Sequence, residues 1–185
     1  RHADATLDLA EKLRDRLWLT RACLLAHMLS YLTGDFQAAR DYSDRALAID
    51  PRDAWVLAWR VQLELQVGES RLANYYLDQL LEIMPLARPW PLADAFLDIV
   101  LPMVARISGT VDRLDIPERA AEVVLASSSD THDRAQMARI GLALLAVQLD
   151  NPSSAAEQYA HLESTHCRMT RAGTITIPRV LALLA

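Results

Sequence analysis

The sequence is poor in residues that form disulfides or reactive loops. Its 185 residues include two cysteines, five glycines and one lysine, and aromatic residues make up only 6%. Cys23 and Cys167 are far apart, and the first residues, RHADATLDLAEKL, do not read as a secretory signal. These features predict a reducing, cytoplasmic setting rather than a disulfide framework.

The glycines and acidic residues give no sign of catalysis. The glycines stand alone, at positions 34, 68, 109, 141 and 173. No glycine-rich loop can therefore bring several backbone N–H groups onto a phosphate. Many acidic residues occupy helix starts and polar faces, where capping and solvation are their usual roles, for example Asp8, Glu11, Asp41 and Asp44. We expect neither a catalytic residue nor a cofactor.

Metal binding is not predicted either. His161, His166 and Cys167 cluster in sequence, but a zinc site usually takes two pairs of closely spaced ligands, and no second pair follows. His27 and His132 stand isolated. We interpret all five as ordinary side chains.

Charge and hydrophobic runs exclude two further partner classes. Nineteen basic and 24 acidic residues give a net charge of -5, which is the wrong sign for direct nucleic-acid contact. The most apolar stretches, 96–107 and 140–149, are interrupted by charge or are about ten residues long, too short to cross a bilayer. We expect no membrane contact.

Leucine and alanine dominate what the chain does contain, with 31 and 29 residues. Both favour helices over strands, so the composition predicts an all-α fold. With 52% hydrophobic and 23% charged residues, a chain of this length can bury the core of a single domain.

Four landmarks recur at a constant offset of 34 residues. Gly34 returns as Gly68, Ala39 as Ala73, Leu47 as Leu81 and Pro51 as Pro85. The glycine falls where the chain leaves a first helix, and the alanine where two helix backbones must approach closely. The proline falls where the second helix ends. The spacing predicts two complete helical hairpins, at residues 20–53 and 54–87.

Beyond residue 87 the period loosens. We expect a long helix kinked at Pro102 and ended by Gly109, then a helix starting near a capping Asp115. After the turn SSSD at 127–130 and one more helix, Asn151 and Pro152 form an N-cap and first-turn pair. These signals predict two degenerate hairpins, at about 88–128 and 129–165.

The ends of the chain predict incomplete hairpins. Residues 3–15 look like a second helix without its first, and residues 177–185 like a first helix without its second. The segment between them and the last hairpin, which contains RAGTITI, predicts a loop. We therefore interpret the 185 residues as one helical repeat domain from a longer protein.

The segment LSYLTGDFQAARDYSDRALAIDP resembles the tetratricopeptide repeat. The resemblance lies in the turn of Gly34 and Asp35, the small Ala39 and Ala46, and the closing Pro51. It is good over residues 20–87 and implies a right-handed α-α superhelix of about four hairpins. The first helix departs from the family pattern, with Cys23 where an aromatic residue is usual and Ala26 and His27 where leucine and glycine are usual.

The order of segments resembles a second group of proteins. VARISGTVDRLDIPERAAEVVL, ARIGLALLAVQLDNPSSAAEQYAHLE and TITIPRVLALLA are similar to the repeat region of bacterial LuxR-type and MalT-like transcriptional regulators and related cyclase or NTPase fusions. This resemblance implies a sensor or interaction region between flanking modules, none of which is in this sequence.

A hairpin repeat exposes a concave groove lined mainly by its first helices. The tetratricopeptide groove positions, carried over one by one, predict a partner-binding set of Arg21, Leu24, Met28, Tyr31, Trp55, Ala58, Gln62 and Leu65. Packing between repeats is the competing interpretation for each residue, and Trp59 is assigned to the core. The predicted function is protein or peptide binding, or transmission to flanking domains of the same chain. A small effector in the groove, or a spacer or homodimerisation arm, remains an alternative.

Overall fold

Helices make up most of the chain that the structure describes. The computed structural model describes residues 2–83, 91–108, 114–126, 132–165 and 176–185, and the all-α prediction is confirmed there. The helices are α1 (His2–Leu13), α2 (Arg16–Thr33), α3 (Phe36–Ile49), α4 (Ala54–Gln66), α5 (Ser70–Ile83), α6 (Pro91–Ser108), α7 (Asp115–Ala126), α8 (His132–Gln148), α9 (Pro152–Glu163) and α10 (Ile177–Leu184). Within the described ranges, no helix has the length and hydropathy needed to cross a membrane.

The chain divides into two compact units, Arg1–Leu86 and Ala87–Ala185. In the first unit α2 pairs with α3 and α4 with α5, as the 34-residue spacing predicts. Each second helix also packs on the next first helix, α1 on α2 and α3 on α4, and the two first helices contact each other. In the second unit α8 is central and packs against α6, α7, α9 and α10.

The turns within the two hairpins use the same geometry. Gly34 and Gly68 have φ angles of +83° and +85°, the left-handed region that only glycine adopts without strain. After each glycine, the next backbone N–H donates to a carbonyl five residues earlier, Asp35 to Ser30 at 2.9 Å and Glu69 to Glu64 at 2.8 Å. These bonds satisfy carbonyls that the helix end leaves unpaired. The predicted role of both glycines is confirmed.

Aspartate and asparagine side chains start several helices. Asp35 Oδ1 accepts from the Ala38 N–H at 3.1 Å, and Asn151 Oδ1 from the Ser154 N–H at 3.1 Å, as predicted. Asp15 caps α2 in the same way, so this helix starts a turn earlier than the apolar spacing alone indicates. Asp115 is the first residue of α7 rather than its cap.

Small residues set the close packing of the first unit. Ala39, Ala46 and Ala73 are fully buried, and the carbonyl of Ala39 accepts a 2.7 Å bond from Nδ1 of His27. In the second unit α6 continues through Pro102. The predictions for Pro85, Gly109, residues 127–130 and the loop before residue 176 lie outside the described residues.

Candidate partner-binding face

The eight predicted groove residues divide by burial. Arg21, Met28, Tyr31 and Trp55 are partly exposed. The others are at most 7% exposed: Leu24, Ala58, Gln62 and Leu65. We call the four partly exposed residues the groove face, because only their side chains offer surface to a partner.

Asp53 fixes one end of the groove face. Its Oδ1 accepts from the backbone N–H groups of Trp55 and Val56, at 3.0 and 3.1 Å, and so caps α4. Its Oδ2 lies 2.8 Å from Nη1 of Arg21. One buried carboxylate therefore starts α4 and holds the Arg21 guanidinium of α2 close to Trp55.

Aromatic contacts hold the other end. The Tyr31 ring lies 5.6 Å from the Trp59 ring, edge to face, and 6.1 Å from the Phe36 ring. Trp59 is fully buried, as predicted, and also contacts the His27 ring at 5.8 Å. Tyr31 is thus pre-positioned by packing, which lowers the entropy lost when a partner binds.

A buried charge network lies behind this surface and was missed by sequence analysis. The Glu64 side chain is fully buried in α4 and accepts from Arg40 of α3, at 3.1 and 2.5 Å, and from Arg60 Nε at 2.7 Å. Arg60 also donates through Nη1 to Ser43 Oγ at 2.7 Å and to Asp44 at 2.5 Å. The two arginines and two carboxylates balance in charge and join α3 to α4.

The network extends to the third helix and sets protonation. The Arg60 guanidinium lies 4.9 Å from the centre of the Tyr76 ring of α5. Burial raises the pKa of Glu64, but hydrogen bonds from Arg40 and Arg60 outweigh it, and the net pKa lies below its ordinary value. Burial raises the pKa of the Tyr76 phenol, with Arg60 opposing it.

The one signal in the sequence was the presence of Arg60 and Glu64 inside the apolar stretch AWVLAWRVQLELQ of α4. Their spacing of four residues is also that of an ordinary surface ion pair. The pairing with Arg40, 24 residues earlier, has no local signature.

A second surface feature lies on α1 and α2. It consists of large apolar side chains that are 40–61% exposed, and we call it the leucine face: Leu9, Leu13, Trp18, Leu25, Leu29 and Leu32. None of its residues was in the predicted groove set.

A small cleft lies beside Asp53. It has a volume of about 250 Å³ and is lined by Arg16, Leu17, Thr20, Ile49, Asp50, Pro51 and Asp53. Ligand pockets usually measure about 300–1,000 Å³, so this cleft suits a fragment or ordered water better than a whole effector.

The described residues contain no group of three or more histidine, cysteine or acidic side chains that could hold a metal ion. His161 is exposed, while His166 and Cys167 lie outside the described residues. No protein-family model, characterised protein or solved structure matches the chain. The internal repeat and the side-chain geometry therefore provide the basis for a function.

Gln62 is expected to weaken the fold. Its amide is 1% exposed, and neither its Oε1 nor its Nε2 has a hydrogen-bond partner within the part of the chain that the structure describes. Because an unpaired buried polar group costs about 1–3 kcal/mol, Gln62→Met should raise the free energy of unfolding by about 1–2 kcal/mol. Methionine is the residue 34 positions earlier, at Met28.

Urea unfolding followed by circular dichroism measures this effect. The matched control is Gln66→Met, one turn later on an exposed position of α4, which should change stability by less than about 0.5 kcal/mol. A loss of stability in Gln62→Met would show that the amide has a polar partner.

Proposed function

We propose that this chain is a non-catalytic protein-interaction and signal-transmission module of a larger bacterial transcriptional or signalling regulator, acting in the cytoplasm. The observation that carries the proposal is the groove face, in which Arg21, Met28, Tyr31 and Trp55 lie partly exposed on two adjacent first helices. Arginine, tyrosine and tryptophan dominate binding hot spots, and methionine adapts to varied partners. The resemblance to tetratricopeptide repeats and to LuxR-type and MalT-like regulators supports the same function.

Transmission follows from how the hairpins contact each other. Repeats of this kind contact only their neighbours, so a partner that touches both α2 and α4 alters their mutual packing. Binding can shift such a packing equilibrium only through a difference in affinity between its two states. The Arg21–Asp53 pair, which joins α2 to the start of α4, lies where that difference would arise.

Sensing of a small effector is a second candidate. It draws on the cleft beside Asp53, whose lining includes the polar side chains of Arg16 and Thr20. The cleft volume of about 250 Å³ is below the usual range for ligand pockets, which favours a protein or peptide partner.

A cross-linking pull-down from the source organism's lysate tests the proposal. Three baits are compared: the native chain, Trp55→Asp, and the control Tyr75→Asp, in which an aromatic side chain 57% exposed on α5 is replaced in the same way. Trp55 is in the first turn of α4, where a carboxylate suits the helix dipole, so the variant should fold. Circular dichroism checks that it does.

We expect a discrete protein to be recovered with the native and Tyr75→Asp baits and lost with Trp55→Asp. Recovery of the same proteins by all three baits, or of none, would contradict binding at the groove face. A thermal shift with small metabolites that Trp55→Asp abolishes would favour the effector candidate instead.

A further inference from the structure

The leucine face has the residue spacing of a helix–helix seam. Trp18, Ala22, Leu25, Leu29 and Leu32 follow one another at steps of four, three, four and three residues along α2. This is the heptad spacing with which helices pack side chains into each other. Four of the five are large apolar residues with 40–60% of their surface exposed. Ala22 is buried, at 2%.

The internal repeat shows what such a seam contacts. Leu25 and Leu29 correspond, 34 residues later, to Trp59 and Leu63 of α4, and both of those are fully buried. Trp59 packs against the rings of His27 and Tyr31 on α2. The equivalent surface one repeat later is therefore covered by a helix, which makes a helix the occupant that fits the leucine face.

The charge of the seam narrows the occupant further. Between Trp18 and Leu32 the only arginine or acidic residue is Arg21, which pairs with Asp53 of the same chain. The seam has no free charge with which to steer or select a different protein. Two identical seams meet without like-charge repulsion, and a two-fold interface requires only that a patch be complementary to itself.

An antiparallel two-fold arrangement centred on Leu25 satisfies that requirement. It places Trp18 opposite Leu32 of the partner subunit and the small Ala22 opposite Leu29 of the partner subunit. Leu9 and Leu13 of α1 add exposed apolar surface. Exposed apolar patches of this extent mark interaction sites on soluble proteins.

We propose that the leucine face is the interface of a homodimer, in which α2 of one copy packs antiparallel to α2 of a second copy around Leu25. The proposal goes beyond partner binding at the groove face and does not depend on it, because the two surfaces share no residue. The dimer doubles the groove face, so a bivalent partner would gain avidity.

Sedimentation velocity over a range of protein concentrations tests the proposal. The native chain should sediment as a dimer that dissociates on dilution. Leu29→Glu should weaken dimerisation about a hundred-fold or more, because each copy would bury an unpaired carboxylate in an apolar seam. The control Val123→Glu, at a side chain 71% exposed on α7, should dimerise like the native chain.

Cysteine cross-linking tests the antiparallel geometry. Leu25→Cys should form a disulfide-linked dimer on mild oxidation, because the proposed axis brings residue 25 of the two copies face to face. Val123→Cys is the matched control, and both variants keep Cys23, which is fully buried, and Cys167. Cross-linking only in Leu25→Cys would support the arrangement.

A native chain that remains monomeric throughout, or a Leu29→Glu variant that dimerises as tightly as the native chain, would overturn the proposal. A monomer that binds a synthetic peptide of residues 16–33 would also overturn it and assign the leucine face to a helix of a different polypeptide. Trp55→Asp should dimerise normally, so failure of the groove-face proposal and failure of this one give different results.

Discussion

Replacing Glu64 with glutamine should lower the free energy of unfolding by about 3–5 kcal/mol, as removal of one partner from a buried ion pair typically does. The Glu64 carboxylate accepts from both Arg40 and Arg60, and the Arg60 side chain is only 6% exposed. Glutamine keeps the shape but points an NH₂ group at guanidinium donors. Urea unfolding followed by circular dichroism measures the change.

The control is Asp115→Asn, which breaks the exposed ion pair between Asp115 and Arg119 on α7. Exposed pairs contribute about 0–1 kcal/mol, so this variant should be close to the native chain. Equal effects of the two substitutions would contradict a buried network and place Glu64 in contact with solvent.

The same network predicts acid sensitivity with a defined sign. The pKa of Glu64 in the fold lies below its ordinary value of 4.5, so its contribution is complete above that pH and is lost as the pH falls through the folded value. Glu64→Gln should remove this step. Burial lowers the pKa of His27 from 6.5, partly offset by the carbonyls of Ala39 and Trp59. The unfolded chain then takes up that proton first, and stability declines below about pH 6.5 in both proteins.

Trp59→Ala should lower the free energy of unfolding by about 3–5 kcal/mol, since it leaves a large cavity in a packed core. Trp59 is fully buried and contacts the rings of His27 and Tyr31. The loss of these contacts should also loosen the packing of α2 on α4. Chemical denaturation measures the effect.

Trp59→Leu supplies the graded comparison, because leucine is the residue at the equivalent position of the previous repeat, Leu25. It should recover part of the loss, and Tyr75→Ala, at an exposed site on α5, should cost less than about 1 kcal/mol. A Trp59→Ala effect as small as that of Tyr75→Ala would mean that the α2–α4 contact contributes little to folding.

The hairpins could be predicted because their signals are local. A left-handed glycine, a small alanine and a capping aspartate each act within a few residues, as Gly34, Ala39 and Asp35 do. The constant 34-residue spacing then repeats the same local solution.

The functional surface could be predicted only in part. Side chains of Leu24, Ala58, Gln62 and Leu65 were assigned to a groove but are buried, since α4 is enclosed along most of its length. Their burial depends on neighbouring helices, not on their own spacing. The Arg40–Glu64 contact is equally non-local, so only the folded arrangement reveals it.

Asp53 divides its two oxygens between a helix start and the Arg21 guanidinium. A partner carboxylate that drew Arg21 away would leave a buried anion supported by backbone N–H groups alone, and those bonds would become shorter and stronger. The start of α4 would then tighten as the side chain above it was withdrawn. By reciprocity, any event that frays the start of α4 would hold Arg21 more firmly against Asp53 and so raise the threshold for acidic partners.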